Sequence, residues 1–353
     1  MSVLFAILLF SILIFVHELG HFTAAKLSGV QVNEFSVFMG PALWQKQVGE
    51  TLYSVRLVPI GGYCAMEGED GGSDNPRSFD KAAWWKRLVI LLAGAAMNFV
   101  IGVLLMVVVY LPTERVVMPV VSSLESYCTF SGEDGLQAGD RILEVDGEKI
   151  YVQSDFSLIL NLNGGDIHDL VVERQGKKVT LRELTMEKHE VTTQDGAKKW
   201  MYGLNFTIQN LNLAGKLQYA WNQSLDCVRM VRLSLQMLLR GQVGLRDMSG
   251  PVGIVQQMSV VAEASPTWLD ALRNMLYFGG FIAINLAVMN LLPIPALDGG
   301  RVVGVLVTTL VETVTRKKVD PKYEGYLHGA GMLLLLGLMA LIMFKDIFVL
   351  IRG

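Results

Sequence analysis

Charge is scarce in this sequence. Only 18% of its 353 residues are Asp, Glu, Lys or Arg, against about 25% in an average soluble chain. So few charges cannot cover the surface of a water-soluble protein of this size, which argues against an ordinary cytosolic enzyme. An excess of basic residues is missing too. The formal net charge is −3, so the chain lacks the electrostatic footprint of a nucleic-acid binder. Cysteine is rare. Cys64, Cys128 and Cys227 contain no CxxC pair and cannot pair off fully, which excludes a disulfide framework and a cysteine zinc site as the organising principle. No internal repeat or low-complexity tract is visible.

What the sequence has in abundance is apolar surface: 52% hydrophobic residues and a mean hydropathy of +0.41. Runs at 3–25, 88–111, 274–292 and 325–344 each approach the ~20 residues needed to cross a hydrocarbon core. The first has no positive n-region and no small-residue cleavage site, so it is expected to remain in the protein. Lys46, Arg56, Arg77, Lys81, Lys86 and Arg87 lie between the first two runs. Arg301, Arg316, Lys317, Lys318 and Lys322 lie between the last two. Positive loops stay in the cytoplasm, so both termini and the segment 112–273 are expected outside a multi-pass protein of the plasma membrane.

Within that segment, β-like runs at 141–145, 169–174 and 178–181 alternate with the turn signals Asp146-Gly147 and Gln175-Gly176. The stretch 135–150, GLQAGDRILEVDGEKI, resembles a PDZ domain of the bacterial protease-associated type. A generic small β domain with a Gly-rich turn is the plainer alternative. Downstream, Leu217, Trp221, Leu225, Val228, Leu235 and Leu239 recur at helical spacing, which predicts an amphipathic helix along the outer membrane surface or packed against the β domain. The expected order is therefore residues 1–111 with two transmembrane helices and a β segment, 112–210 as the extracytoplasmic PDZ domain, 211–273 as amphipathic surface helices, and 274–353 with two further transmembrane helices. Residues 51–58 (TLYSVRLV) alternate enough to be a strand, and 59–63 (PIGGY) are expected to end it in a turn.

Inside the first apolar run stands His17-Glu18-Leu19-Gly20-His21, an HExxH motif. On a helix, positions i and i+4 share a face, so both imidazoles can reach one zinc ion with Glu18 beside its water. Given five His and seventeen Glu, chance predicts only about 0.003 such matches in a chain of this length. Three ionisable groups within an apolar span cost a few kcal/mol each unless they pair or ligate. The plainer reading, polar groups satisfied by neighbours, has to explain all three separately. Catalytic zinc takes three protein ligands, and the best candidate for the third is Asp298. It lies in 290–300, NLLPIPALDGG, at the end of the third span, where the prolines and the Gly pair interrupt the helix. A plain helix end followed by an Asp-Gly turn is the alternative.

HExxH in the first span, N-x2-P-x4-DG at the third and a PDZ match after the second resemble the site-2 protease family of intramembrane zinc metalloproteases, bacterial RseP/RasP type. The resemblance covers nearly the whole chain. It implies a polytopic α-helical membrane protein with four transmembrane helices, a membrane-associated β segment and a single PDZ domain. It implies Zn2+ bound by His17, His21 and Asp298, Glu18 as catalytic base, and Asn290 and Pro293 at the substrate. Single-pass transmembrane proteins such as pre-trimmed anti-sigma factors or remnant signal peptides are the implied substrates, with the lipid bilayer as the surroundings and no nucleic-acid partner. Residues 36–41 (SVFMGP) and 249–254 (SGPVGI) are similar to further family segments. Two departures stand out. Relatives often carry Gly-Pro before an Asn in the second span, where this chain has Gly94-Ala95-Ala96-Met97-Asn98. Many relatives also have two tandem PDZ domains, and 112–210 has room for one. A non-enzymatic PDZ scaffold and a metal transporter are the competing readings. The first leaves the HExxH residues unexplained, and the second predicts polar residues strung across more than one span.

Overall fold

The computed structural model describes residues 2–69, 73–192, 198–244, 250–317 and 322–352. Its helices are α1 (Ser2–Ser28), α2 (Trp84–Tyr110), α3 (Gln153–Asn163), α4 (Leu213–Leu239), α5 (Pro251–Glu263), α6 (Trp268–Asn290), α7 (Asp298–Thr315) and α8 (Lys322–Arg352). Its strands are β1 (Val32–Val48), β2 (Thr51–Met66), β3 (Arg115–Leu124), β4 (Arg141–Val145), β5 (Glu148–Lys149), β6 (Ile167–Arg174), β7 (Lys177–Thr185), β8 (His189–Thr192), β9 (Lys198–Met201) and β10 (Leu204–Asn210). They form two units: Met1–Met106 with Cys227–Gly353, and Val107–Asp226.

Among the described residues, α1, α2, α6 and α8 are the four helices long and apolar enough to cross a membrane. They leave large apolar side chains uncovered, among them Leu4, Leu8, Leu104, Leu333 and Phe344, as lipid-facing helices do. Their inner faces are packed. Ala6, Leu9 and Leu13 of α1 bury against Met258 of α5 and against Ile282 and Ala283 of α6. Nearer the end of α1, Ala24 and Ala25 join Phe35, Cys64, Ile90, Leu91 and Val305 in a second cluster that brings the β segment, α2 and α7 together.

The reversal expected at 59–63 lies inside β2, which runs on to Met66: pairs with β1 advance from Phe35–Tyr53 to Val37–Val55, then return from Val37–Gly62 to Phe35–Cys64, with Gly61 at φ +86° between them. β1 bends in turn at Phe38 and Gly40 (φ +70° and +85°). A proline is tolerated at such an irregularity because its missing N–H costs no regular ladder bond, and the Pro59 carbonyl accepts from the Ser11 hydroxyl of α1 at 3.0 Å. The doubled-back strand pairs β1 twice over: Phe35 has Tyr53 on one side and Cys64 on the other. One face of the pair, Phe35 and Tyr53, packs on Phe22 of α1. The other carries Glu34, whose carboxyl burial pushes up but which hydrogen bonds from Ser54, Arg56 and Tyr63 hold below the ordinary carboxylate range.

The second unit holds a sheet in the order β10-β3-β4-β6-β7, with β5 paired to β4. Both turn signals are realised with positive φ: Asp146-Gly147 joins β4 to β5 and Gln175-Gly176 joins β6 to β7. Helix α3 buries Phe156, Ile159 and Leu160 against Leu136, Ile142, Leu170, Val172 and Met186. Asp155 satisfies two backbone N–H groups at its start, those of Tyr151 and Val152. Asp140, 1% exposed, accepts two hydrogen bonds from Arg174 at 2.8 Å and one from the Gln137 N–H. Asp140→Ala is expected to destabilise this unit by about 2–3 kcal/mol, the milder end for a buried pair because Arg174 can still reach water. Limited proteolysis of the full-length protein, read as the rate of nicking within 107–226, measures it.

Two observations concern helices. The amphipathic helix expected downstream is present as α4: its buried positions are Ala220, Gln223, Ser224, Cys227, Arg229 and Val231, while Leu217, Trp221 and Leu239 are exposed. Between α6 and α8, where only a loop was expected, lies α7. Its β-branched, Gly-containing sequence has weak intrinsic helix propensity. Asp298 therefore opens a new helix and does not end α6. Of residues 249–254, Ser249 lies outside the described residues. Gly250 caps α5, and the Gly250 and Gly253 N–H groups donate to Asp346 of α8 at 2.9 and 3.1 Å.

Candidate metal centre

His17 and His21 sit one turn apart on α1, and Asp298 approaches both from the first turn of α7. Asp298 Oδ2 is 3.2 Å from His17 Nε2 and 3.4 Å from His21 Nε2. The two imidazole nitrogens are 3.1 Å apart, with the rings edge to face. Three ligands at tetrahedral corners about 2.0–2.1 Å from a zinc ion would stand about 3.3 Å from one another, so the triangle has the size zinc requires. The buried Asp298 Oδ2 also has no hydrogen-bond partner within the protein. An orphaned carboxylate oxygen between two imidazoles fits a shared cation. Among the described residues this is the one group of three or more His, Cys, Asp or Glu side chains close enough to hold a metal ion.

Neighbouring elements fix each of these side chains. A Cβ on Gly20 would lie 2.5 Å from the Ala93 carbonyl oxygen, so only glycine lets α2 come this close to α1. That approach brings the Ile90 carbonyl within 2.9 Å of His21 Nδ1. An N–H donated to a carbonyl there places the proton on Nδ1 and leaves the Nε2 lone pair facing the centre. Arg301, one turn into α7, pairs with Glu69 just beyond β2 and ties the start of α7 to the β segment. Asn290, the last residue of α6, holds its Nδ2 3.5 Å from both nitrogens of His17. Glu18 faces β2: a Cβ on Gly62 would be 3.6 Å from Glu18 Cγ. Pro293 is exposed in the link between α6 and α7, where its missing N–H helps to end α6.

Gly94 has a role that the sequence did not disclose. A Cβ at this position would fall 2.3 Å from His21 Nε2 and 2.8 Å from His17 Cε1, inside the triangle's own volume. The linear pattern marks Gly94 only as part of a segment similar to one in relatives, and the steric constraint itself arises only where α2 crosses α1. Gly94→Ala would ordinarily favour a helix by about 0.5–1 kcal/mol. Here it is expected to lower metal affinity roughly tenfold or more by pushing the imidazoles out of place, with helix content unchanged. Metal analysis after dialysis, beside circular dichroism, separates the two effects.

Two imidazoles and a carboxylate meeting near helices of membrane-spanning length, with a carboxylate between the histidines in sequence, form a candidate metal centre with the donor set of a metal-dependent hydrolase. The profile of peptidase family M50 matches residues 5–338. Similar proteins include a candidate zinc metalloprotease of Clostridium perfringens, 34% identical over 352 residues, covering 98% of each chain. One from Clostridium acetobutylicum is 34% identical over 349 residues, covering 98% of this chain and 97% of its own. The zinc metalloprotease RasP of Geobacillus kaustophilus is 26% identical over 429 aligned positions, 98% of this chain and 97% of its own, so it carries segments with no counterpart here. The chain belongs to peptidase family M50, the site-2 protease family, and is a zinc metalloprotease.

Proposed function

We propose that this protein cleaves peptide bonds within the transmembrane segments of single-pass proteins that another protease has already shortened, as in regulated intramembrane proteolysis. Pre-trimmed anti-sigma factors and remnant signal peptides are the substrate types in view. The observation that carries the reading is the convergence of His17, His21 and Asp298 among membrane-length helices, with Glu18 beside them. These three would hold the zinc ion. Zinc, when bound, supplies Lewis-acid polarisation of the scissile carbonyl and lowers the pKa of water toward neutrality. Glu18 takes the proton of the attacking water and returns it to the leaving amine. His21, anchored through Nδ1 to Ile90, keeps its lone pair on the centre throughout. Asn290 offers its amide N–H groups to the substrate carbonyl, and Pro293 ends α6 so that substrate reaches it.

A helical substrate buries its own peptide bonds and must unwind before water can attack. The 62–66 stretch of β2, beside Glu18, supplies a strand to which an extended substrate segment can add. The reading puts both termini and residues 112–273 outside, supported by the basic residues of the two loops between spans, with the site reached by water from the cytoplasmic side. Residues 112–210 form the PDZ domain of this reading. It acts as a size filter, because all three candidate ligands come from outside it. Deleting roughly residues 120–205 is expected to raise cleavage of untrimmed substrates and to change cleavage of stubs much less. Abolished stub cleavage in a folded, zinc-loaded deletion variant would make the domain a delivery device instead. The reading as a whole is tested by membrane proteomics of cells carrying the wild type or Glu18→Gln. Single-pass fragments are expected to accumulate only with the variant, and identical membrane proteomes would contradict it.

A further inference from the structure

Asn98 lies in the middle of α2 and is 1% exposed. Its Nδ2 is 3.5 Å from His17 Nδ1, while its Oδ1 is buried with no hydrogen-bond partner. The arrangement is unsatisfactory on both sides. His17 directs Nε2 toward Asp298 at 3.2 Å. A neutral imidazole that uses the Nε2 lone pair for a metal carries its proton on Nδ1, and that N–H needs an acceptor. Asn98 Nδ2 is a second donor facing the first, and Asn290 Nδ2, also 3.5 Å away, would be a third.

One change resolves this. The two ends of an amide have the same shape, so turning Asn98 over about its Cβ–Cγ bond costs no packing and puts Oδ1 where Nδ2 stood. The orphaned oxygen gains a donor and His17 Nδ1–H gains its acceptor after a small closing rotation. Asn290 cannot serve in its place. It is equidistant from both ring nitrogens and so lies off the Nδ1–H direction, and it is not fully buried. His21 already has the matching partner in the Ile90 carbonyl.

We infer that Asn98 is the positioning residue of His17: its side-chain oxygen accepts Nδ1–H, fixes the tautomer, and aims Nε2 at the zinc centre. The inference rests on the proposed ligand set, and it gives α2 a contact with each histidine, a side chain for His17 and a backbone carbonyl for His21.

The test uses full-length protein in detergent and measures zinc affinity by chelator competition, with the visible absorption of the cobalt-substituted protein as a second readout. Asn98→Leu, which fills the space without an acceptor, is expected to weaken zinc binding roughly 10–100-fold and to change the cobalt spectrum. Asn98→Asp, which keeps the acceptor, is expected to retain wild-type affinity and spectrum. Asn98→Ala, which adds no bulk, is expected to behave as Leu does and replaces it should the larger side chain prevent folding. Wild-type affinity and spectrum in the variants without an acceptor would overturn the inference. So would equal losses in the Asp and Leu variants, since packing alone would then explain them. His17→Ala separates the two layers of the argument. Loss of zinc there with full retention in Asn98→Leu overturns only the role of Asn98. Retention in His17→Ala overturns the ligand assignment and this inference with it.

Discussion

Glu18→Gln is expected to abolish cleavage while leaving zinc content at the wild-type level. The amide has the shape of the carboxylate it replaces, and Glu18 is not one of the three side chains in the metal triangle. Neither the ligands nor the packing against β2 should change. What disappears is the ability to take a proton from water. Positioned general bases contribute about 10²–10⁴-fold to rate, so turnover should fall by at least the lower figure, in kcat more than in KM. Single-turnover cleavage of a reconstituted substrate, beside elemental analysis of the same preparation, provides both numbers. A variant that turned over near the wild-type rate would remove Glu18 from the mechanism. One that lost zinc would make it a ligand.

Asp298→Ala tests the other half of the site and should remove both zinc and activity. Among the described residues Asp298 is the one candidate ligand outside α1, and its Oδ2 is 3.2 Å from His17 Nε2 and 3.4 Å from His21 Nε2. Without it two histidines remain, one turn apart. Loss of a partner that only orients a ligand commonly costs 10–100-fold in affinity, so loss of a ligand itself should exceed about 100-fold. The change removes a carboxylate from the first turn of α7, a site where negative charge favours the helix by roughly 0.3–1 kcal/mol, too little to unfold the protein. Zinc competition titration decides the matter. Full occupancy in the variant would mean that another residue completes the site.

Much of this site was legible in the sequence for a physical reason. HExxH is a local motif: the i, i+4 spacing that places two imidazoles on one helix face is written in five consecutive residues. The four spans were legible in the same way, because a bilayer imposes length and hydropathy on each helix separately. Asp298 was found through its company, a carboxylate beside an apolar run broken by Pro293 and Pro295. Its setting was not, since α7 is rich in β-branched residues of weak helix propensity, of which Val305 is buried beside Ile90 and Leu91. Gly94 was hidden more deeply. Its lack of a side chain matters only because of what crosses it, and that depends on Gly20 allowing α2 to approach. The reversal at 59–63 was legible from Pro59, Gly61 and Gly62. That the returning stretch 62–66 pairs with the first half of β1 was not, because that partner lies about thirty residues away. The stripe of large apolar residues on α4 marked a helix, and Leu217, Trp221 and Leu239 of that stripe are exposed.

The most direct measurement places purified full-length protein in liposomes with a single-span substrate trimmed to a short ectodomain, and locates the new termini by mass spectrometry. The account predicts a cut inside the substrate's apolar segment. That cut should be lost on chelation, restored by zinc, and missing with Glu18→Gln. Cuts confined to the water-exposed flanks, or the same internal cut with Glu18→Gln, would contradict it.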